Sequence, residues 1–154
     1  MNLIHYSKNP KIELEVGYRY SSNIGLGKPS GLWVSDDDEE PNWKSWALAE
    51  DFNLPELKYC YRIELCKNAN ILKLTTQNAI RRFTYKFGNV NHPIEKYLDI
   101  DWNKVRTIYQ GIIITPYQWK LRHTFLWYYG WDCASGCIWD ISTVKTLTRV
   151  GDLK

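Results

Sequence analysis

The stretch SGCIWDIS, residues 135–142, lies near the C-terminus and decides how the chain closes its fold. Its small and apolar residues, bounded by polar ones, predict a short buried strand. The stretch follows an aromatic run, residues 119–132, in which Leu121, Phe125 and either Tyr128 or Tyr129 have the spacing of one helical face. Gly130 provides a natural helix end. The C-terminal part of the chain therefore predicts an aromatic helix packed near a closing strand.

The rest of the chain predicts further strands and helices around this pair. Apolar runs and alternation predict strands at residues 3–6, 31–35, 58–67, 70–76 and 111–117, with a final strand or tail at 144–150. Helices are predicted at residues 41–52 and 101–109, whereas residues 75–87 fit either a helix or a hairpin. No repeat or low-complexity linker divides the chain, so we expect one α+β domain over residues 1–154.

The composition is that of a globular domain with unusually many aromatic side chains. Hydrophobic residues make up 44% and charged residues 24% of the 154 residues, which is ordinary and is enough for one core. Aromatic residues reach 15%, with 8 tryptophans and 11 tyrosines. Such rings line ligand clefts or simply fill a core, and the composition leaves both readings open.

The net charge of +3 conceals an uneven distribution. Five of the 17 acidic residues stand together in DDDEE, residues 36–40, so the remaining chain is distinctly basic. A basic surface suits a polyanion such as nucleic acid, although many proteins with no such partner are equally basic. The acidic run itself is typical of a solvated loop.

Targeting and cysteine patterns predict a cytoplasmic protein. The N-terminal residues MNLIHYSKNP lack the long apolar core of a signal peptide, and no segment reaches membrane-spanning length. The four cysteines are too few for a disulfide framework, and their spacings, C-x5-C and C-x3-C, do not match a zinc ribbon. We therefore expect reduced thiols, no metal and no membrane partner.

Three ordered motifs carry a resemblance to a known family. The motifs occur in the same order as those of that family: HYS at residues 5–7, GLWVS at 31–35 and SGCIWDISTV at 135–144. In this respect the chain resembles the ADP-ribosyltransferase superfamily, in its diphtheria-toxin and poly(ADP-ribose) polymerase branch. The resemblance implies two small, mostly antiparallel sheets that form a split β-sandwich with flanking helices. It also implies NAD as the small-molecule substrate.

The resemblance assigns roles in NAD binding to residues of the first two motifs and of the loop between them. His5 would hold a ribose hydroxyl or the nicotinamide backbone, Trp33 would stack on the nicotinamide ring, and Ser35 would bind the ribose. Tyr6 and Tyr20 complete the candidate cofactor-binding set. The alternatives are a structural histidine at a strand end and a core tryptophan.

The third motif departs from the family at the catalytic position. Cleavage of the nicotinamide–ribose bond develops positive charge, which a fixed carboxylate stabilises. The resemblance puts Ser135 where the family has its glutamate. Asp132, at the mouth of the strand, is the favoured replacement, ahead of Asp140 inside the predicted strand. A structural capping role is the alternative for both residues. Alternatively, Ser135 itself touches the ribose and no carboxylate takes part. The candidate catalytic residues are therefore Asp132 and Ser135.

Basic residues outside these motifs are candidates for contact with an acceptor. Arg81, Arg82 and Lys86 alternate with aromatic side chains and form a candidate nucleic-acid-binding set, with an exposed basic hairpin as the alternative. The segment WKLRH, residues 119–123, adds cations that would contact a pyrophosphate or lie on a solvated face.

These patterns favour an NAD-dependent mono-ADP-ribosyltransferase that modifies a nucleic acid or a protein. The first alternative is a catalytically silent domain of the same fold that binds a nucleotide or nucleic acid as an inhibitor or adaptor. A tryptophan-rich protein-interaction module is the second. A toxin or a phage-defence factor would suit such a small domain, and the residues do not choose between these roles or define an oligomeric state.

Overall fold

The computed structural model describes residues 1–15, 27–89 and 93–153. Within these ranges the chain forms seven strands, four α-helices and four short 3-10 helices. The strands are β1 (Leu3–Ser7), β2 (Leu32–Asp36), β3 (Tyr59–Leu65), β4 (Ile71–Leu74), β5 (Gly111–Ile114), β6 (Ser135–Ile138) and β7 (Val144–Asp152). The α-helices are α1 (Trp43–Ala49), α2 (Gln77–Phe87), α3 (Trp102–Ile108) and α4 (Leu126–Tyr129). The 3-10 helices are Leu54–Leu57, Glu95–Tyr97, Trp119–Leu121 and Ile141–Thr143.

The seven strands form one sheet in the order β4-β5-β6-β2-β1-β3-β7, in which only β4 and β5 run parallel. The α+β class is therefore confirmed, but the expectation of two separate sheets is wrong. The reason is that β2 pairs on both sides, with β6 and with β1. The β1–β2 ladder has only two residue pairs, Leu3 with Asp36 and Ile4 with Ser35. This short junction joins what would otherwise be two half-sheets.

The helices begin where polar side chains cap their first turns. Asn42 caps α1, accepting from the backbone N–H of Ser45 at 2.9 Å, and the Ser45 hydroxyl accepts in return from the backbone N–H of Asn42. Thr76 accepts from the backbone N–H of Ala79 and starts α2. The segment that fitted either a helix or a hairpin is thus a helix. Its buried face is formed by Ile80, Phe83, Thr84 and Phe87.

The prediction of one continuous aromatic helix before residue 130 is wrong. The chain instead forms a 3-10 turn at Trp119–Leu121 and the single turn of α4, separated by an extended Phe125. A regular helix would point Trp127 away from the face that carries Leu121 and Phe125. The interruption allows all three side chains to be buried. The helix ends before Gly130, as expected.

Two apolar clusters cover opposite faces of the sheet, because successive strand residues alternate between faces. Ile112, Ile114 and Cys137 pack with side chains of the helices and the aromatic segment, whereas Ile113 and Ile138 belong to the second cluster. The three isoleucines of β5, an interior strand next to the edge strand β4, are thus buried on both faces of the sheet. No helix in the described part of the chain has the length and apolarity needed to cross a membrane.

Candidate ligand-binding site

An aromatic cavity of about 100 Å³ lies beside α1, on the face of the sheet that carries Trp33 and Ser135. Its walls come from β2, β6, α1 and the loop that follows α4. Its lining residues are Lys28, Trp33, Trp43, Trp46, Phe52, Gly130, Trp131, Asp132, Cys133 and Ser135. The rings contact one another: the centroids of Trp33 and Trp131 lie 4.9 Å apart, and those of Trp46 and Phe52 lie 5.1 Å apart. The cavity therefore suits a small flat group.

Two hydrogen-bond donors in the cavity wall have no acceptor among the described residues. The indole nitrogens of Trp43 and Trp131 are both buried and both unpaired. Trp131 is only 1% exposed, so its N–H group is removed from bulk water. A buried donor without a partner costs about 1–3 kcal/mol, and most buried polar groups avoid that cost. A ligand that carries an acceptor, such as a carbonyl oxygen, would satisfy these groups.

Charged side chains at the cavity are arranged around Asp132. Its Oδ1 accepts from Nη2 of Arg122 at 3.1 Å, and both side chains are about three-quarters buried. Burial raises the pKa of Asp132, whereas Lys28 and Arg122 lower it. The Lys28 ammonium lies 5.5 Å from the centroid of the Trp33 ring. The sequence-predicted acid is therefore placed at the cavity, in an ion pair that holds its orientation.

Ser135 lines the same cavity, but its hydroxyl is already engaged. Its Oγ donates to the backbone carbonyl of Cys133 at 3.0 Å, and the residue is 3% exposed. Burial raises the pKa of the Cys133 thiol to about 12, so this thiol stays protonated at neutral pH. A protonated thiol is a poor nucleophile. Of the described residues that line the cavity, Asp132 is the only one that carries a carboxylate.

Ser35 and Tyr6 form a hydrogen-bonded group next to the cavity, on the same face of the sheet. Asp37 accepts from the Tyr6 hydroxyl at 2.6 Å and from the Ser35 hydroxyl at 2.7 Å. Ser35 in turn accepts from the backbone N–H of Trp43 at 3.0 Å and so ties α1 to β2. Burial, followed by the bond to Asp37, raises the pKa of Tyr6. These groups position the α1 wall of the cavity.

Only the later part of the acidic run, in which Asp38 and Glu40 are exposed, matches the solvated loop that its composition predicts. Asp36 is 2% exposed, and its carboxylate accepts from the backbone N–H of Asn2 at 3.0 Å and from the Thr115 hydroxyl at 2.7 Å. With the bonds of Asp37, two of the five acids hold neighbouring strands together. The run therefore has a structural role at the end of β2.

The structure separates His5 from the cavity. Ile4 pairs with Ser35 across β1 and β2, so His5 points to the opposite face of the sheet. Its Nδ1–H donates to the backbone carbonyl of Trp33 at 2.7 Å. Burial lowers the pKa of His5, although this hydrogen bond opposes the shift. His5 is not among the described residues that line the cavity.

Two other candidates lie elsewhere. Tyr20 falls outside the described residues. Asp140 follows β6 rather than lying inside it, because the strand ends at Ile138. Its Oδ1 accepts from the hydroxyl and the backbone N–H of Ser142, and its Oδ2 accepts from the Gln110 side chain. Asp140 therefore caps the 3-10 helix Ile141–Thr143.

The basic candidates on α2 are divided between two sides of the helix. Arg81 lies 3.7 Å from the Glu95 carboxylate and 5.7 Å from the centroid of the Phe125 ring. Arg82 and Lys86, one helical turn apart, line a separate groove of about 260 Å³ with Lys73 of β4. Arg81 is thus not among the described residues that line the groove of Arg82 and Lys86, and the nucleic-acid-binding role of the three residues stays a prediction.

Sequence reasoning missed several cavity residues, namely Lys28, Trp43, Trp46, Phe52, Trp131 and Cys133. The shared helical face of Trp43 and Trp46 was a signal, but it predicts only contact with the sheet. Within the described ranges, no three histidine, cysteine, aspartate or glutamate side chains group closely enough to hold a metal ion.

Comparison with known proteins identified no family for this chain. No protein-family model, curated protein or solved structure matches the chain. The resemblance of HYS, GLWVS and SGCIWDISTV to the ADP-ribosyltransferase motifs stays a prediction.

Proposed function

We propose that this chain is an NAD-dependent mono-ADP-ribosyltransferase that binds the nicotinamide end of NAD in the aromatic cavity. The observation that carries the proposal is the pair of buried, unpaired indole N–H groups of Trp43 and Trp131 in the cavity wall. Nicotinamide has a flat cationic ring and a carboxamide. Its ring matches the surrounding indoles, and its carbonyl oxygen is the acceptor that an indole N–H lacks.

The reaction needs a carboxylate near the ribose, and Asp132 is the residue in place. The bond between C1′ of the ribose and the nicotinamide nitrogen breaks, and its electron pair leaves with neutral nicotinamide. A nucleophilic oxygen or nitrogen of the acceptor forms the new bond to C1′. Asp132 stabilises the positive charge on the ribose and takes the proton of the nucleophile. Its raised pKa favours that second role.

The ion pair with Arg122 matters for this role. It keeps the Asp132 carboxylate in one orientation, which is the preorganisation that electrostatic catalysis requires. A positioned carboxylate also explains how the chain functions with Ser135 in place of a glutamate. The acceptor is a nucleic acid or a protein, since the chain is basic outside residues 36–40.

A second candidate function is a silent domain that binds a nucleotide without chemistry. The hydrogen bond from Ser135 to the Cys133 carbonyl favours it, because this hydroxyl is not free for a ribose. The position of His5 on the other face of the sheet favours it too. In this case NAD, or a related nucleotide, enters the cavity and leaves unchanged.

The test is incubation of the purified protein with NAD labelled in its adenylate phosphate, with and without a bacterial lysate. Transfer of label to material sensitive to nuclease or to protease, together with release of nicotinamide, supports the transferase and identifies the acceptor class. Saturable NAD binding without nicotinamide release supports the silent domain. If NAD does not bind at all, both proposals fail.

A further inference from the structure

A second surface of the molecule combines exposed aromatic rings with cations. Trp119 is 55% exposed and Tyr129 is 48% exposed. The guanidinium carbon of Arg122 lies 5.9 Å from the centroid of the Trp119 ring and 5.4 Å from that of Tyr129. The His123 ring lies 5.6 Å from the Tyr129 ring. We call these residues, together with Lys96 and Lys120, the aromatic–basic surface.

Two cations of this surface have no ionic partner among the described residues, whereas Arg122 is paired with Asp132. A shallow cavity of about 160 Å³ is lined by Lys96, Arg122, His123, Phe125, Leu126 and Tyr129, and no acidic residue in the described part of the chain lines it. Lys96 and Lys120 are exposed and form no ion pair with any described residue. Two free ammonium groups beside exposed rings favour a partner with both negative charge and flat groups.

The aromatic–basic surface is connected to the candidate catalytic site through one side chain. Arg122 contacts both exposed rings and also donates to Oδ1 of Asp132 at 3.1 Å. Asp132 lines the aromatic cavity. A partner that lies on the rings of Trp119 and Tyr129 is therefore separated from Asp132, the proposed catalytic residue, by the side chain of Arg122 alone.

We infer that the aromatic–basic surface binds a single-stranded polynucleotide, which is the acceptor of the proposed transfer. This role as acceptor rests on the proposed function, whereas the binding itself does not. Bases stack on Trp119 and Tyr129, and phosphates pair with Lys96 and Lys120. Surfaces that bind single strands combine these two elements.

The chemistry distinguishes this partner from the two nearest alternatives. A duplex keeps its bases stacked inside and would use the lysines but not the faces of the rings. An acidic peptide would likewise be held by charge and would gain little from Trp119. Unpaired bases use both elements of the surface, because they stack on the rings while their phosphates pair with the lysines.

The binding is measured by fluorescence anisotropy on the full chain without NAD. The probes are end-labelled oligonucleotides of twelve thymidine or twelve uridine nucleotides, a duplex of the same length, and an acidic peptide as competitor. We expect both single strands to bind, and the ratio of DNA to RNA affinity to identify the natural source. We expect the duplex and the peptide to bind at least about 10-fold more weakly, because they cannot stack on the rings.

Variants separate stacking from charge. Trp119→Ala and Tyr129→Ala each weaken single-strand binding about 10-fold, and Trp119→Phe restores most of the affinity because it keeps a ring. Lys96→Ala with Lys120→Ala lowers the slope of log affinity against log salt by about 1.4, since each single-strand phosphate contact contributes about 0.7. The matched control is Lys67→Ala with Lys145→Ala, which removes two other exposed lysines and leaves binding unchanged.

The inference is overturned if the two ring variants bind as well as the wild type, or if the duplex or the peptide binds as tightly as the single strands. It is also overturned if the control lysine pair weakens binding as much as Lys96 and Lys120 do. Failure of the proposed function is recognised separately, by NAD binding and nicotinamide release measured without any polynucleotide. Intact NAD chemistry with no single-strand binding would reject this inference alone.

Discussion

The guanidinium of Arg122 donates to the carboxylate of Asp132 at 3.1 Å and also lies against the exposed rings of Trp119 and Tyr129. One side chain thus joins the aromatic cavity to the surface beside it. The carboxylate and the guanidinium are each about one-quarter exposed, so the pair is partly shielded from water. This connection gives Asp132 a defined orientation at the mouth of the cavity.

Replacement of Asp132 by asparagine tests the proposed chemistry. The change keeps the side-chain shape but removes the charge that stabilises the ribose. We expect nicotinamide release to fall about 100- to 1,000-fold while NAD binding is retained. Release is measured by chromatography and binding by calorimetry. The matched control, Asp38→Asn, removes an exposed carboxylate that pairs with the N-terminal ammonium and keeps full activity. Equal activity of Asp132→Asn and the wild type would reject Asp132 as the acid.

Substitution of Trp43 by phenylalanine tests the unpaired indole N–H. A smaller aromatic ring remains, so some packing is lost, but the buried donor without an acceptor is also removed. Because these two effects oppose each other, we expect the free energy of unfolding without ligand to change little. We expect NAD affinity to fall about 2- to 10-fold, since one net hydrogen bond is lost on binding. Urea denaturation and calorimetry measure the two quantities.

The control for this substitution is Trp139→Phe, which removes a paired indole. The Trp139 N–H donates to the Tyr109 carbonyl at 2.7 Å, and the residue is 3% exposed. Leaving that carbonyl without its donor lowers the free energy of unfolding by about 1–3 kcal/mol, in addition to lost packing. A loss of stability in Trp43→Phe as large as this would show that the Trp43 N–H has a partner after all.

His5→Gln tests whether the first motif binds NAD. Because His5 lies on the opposite face of the sheet from the cavity, we expect NAD affinity to remain at the wild-type value. The family resemblance implies the reverse, a clear loss of affinity. Calorimetric titration with NAD decides between the two, and a large loss would mean that NAD reaches the other face of the sheet.

The same variant carries a prediction for the pH dependence of stability. Burial lowers the pKa of His5 from its ordinary value of 6.5, so the unfolded chain binds a proton at this site more readily than the folded chain. The folded state therefore loses stability as the pH falls through 6.5 towards the lowered pKa. We expect the free energy of unfolding to fall more between pH 7.5 and pH 5.0 in the wild type than in His5→Gln. Identical pH profiles would show that His5 titrates normally in the folded state.

Gly136→Ala tests the close approach of β6 and β5. An added Cβ at Gly136 would lie 2.5 Å from the backbone carbonyl oxygen of Ile112 and 2.6 Å from Cγ1 of Ile113. Because the central sheet cannot easily shift, we expect a loss of about 1–3 kcal/mol in the free energy of unfolding. At Gly151 nothing lies within 4 Å of the added atom, so Gly151→Ala keeps or slightly raises stability. Thermal denaturation of both variants compares the two sites.

Local patterns were sufficient for most elements of the fold. The alternation of residues 58–67 correctly predicted β3, in which Tyr61 and Ile63 are buried on one face. The run of isoleucines correctly predicted the strand β5, which is buried on both faces. These predictions succeed because the faces of a strand that are buried can be identified from residues that are neighbours in the chain.

The pairing of β1 with β2 could not be predicted from local patterns. Whether β1 and β2 pair depends on the register of two segments that are far apart in the chain, and the ladder consists of only two residue pairs. Similarly, the break at Phe125 depends on the space available for Trp127 and Trp131 in the core, which helical periodicity does not describe.

The sequence by itself determined the α+β class, most strands, the approximate positions of α1 and α3, and the candidacy of Trp33, Asp132 and Ser135. These features depend on periodicity, capping residues and motif order, all of which are local. Only the tertiary structure decided that these three residues meet Trp43 and Trp131 around one cavity, and that His5 faces away from it. The physical reason is that a cavity is formed by packing between distant segments, so its shape and its unpaired donors exist only once the sheet register and the helix positions are set.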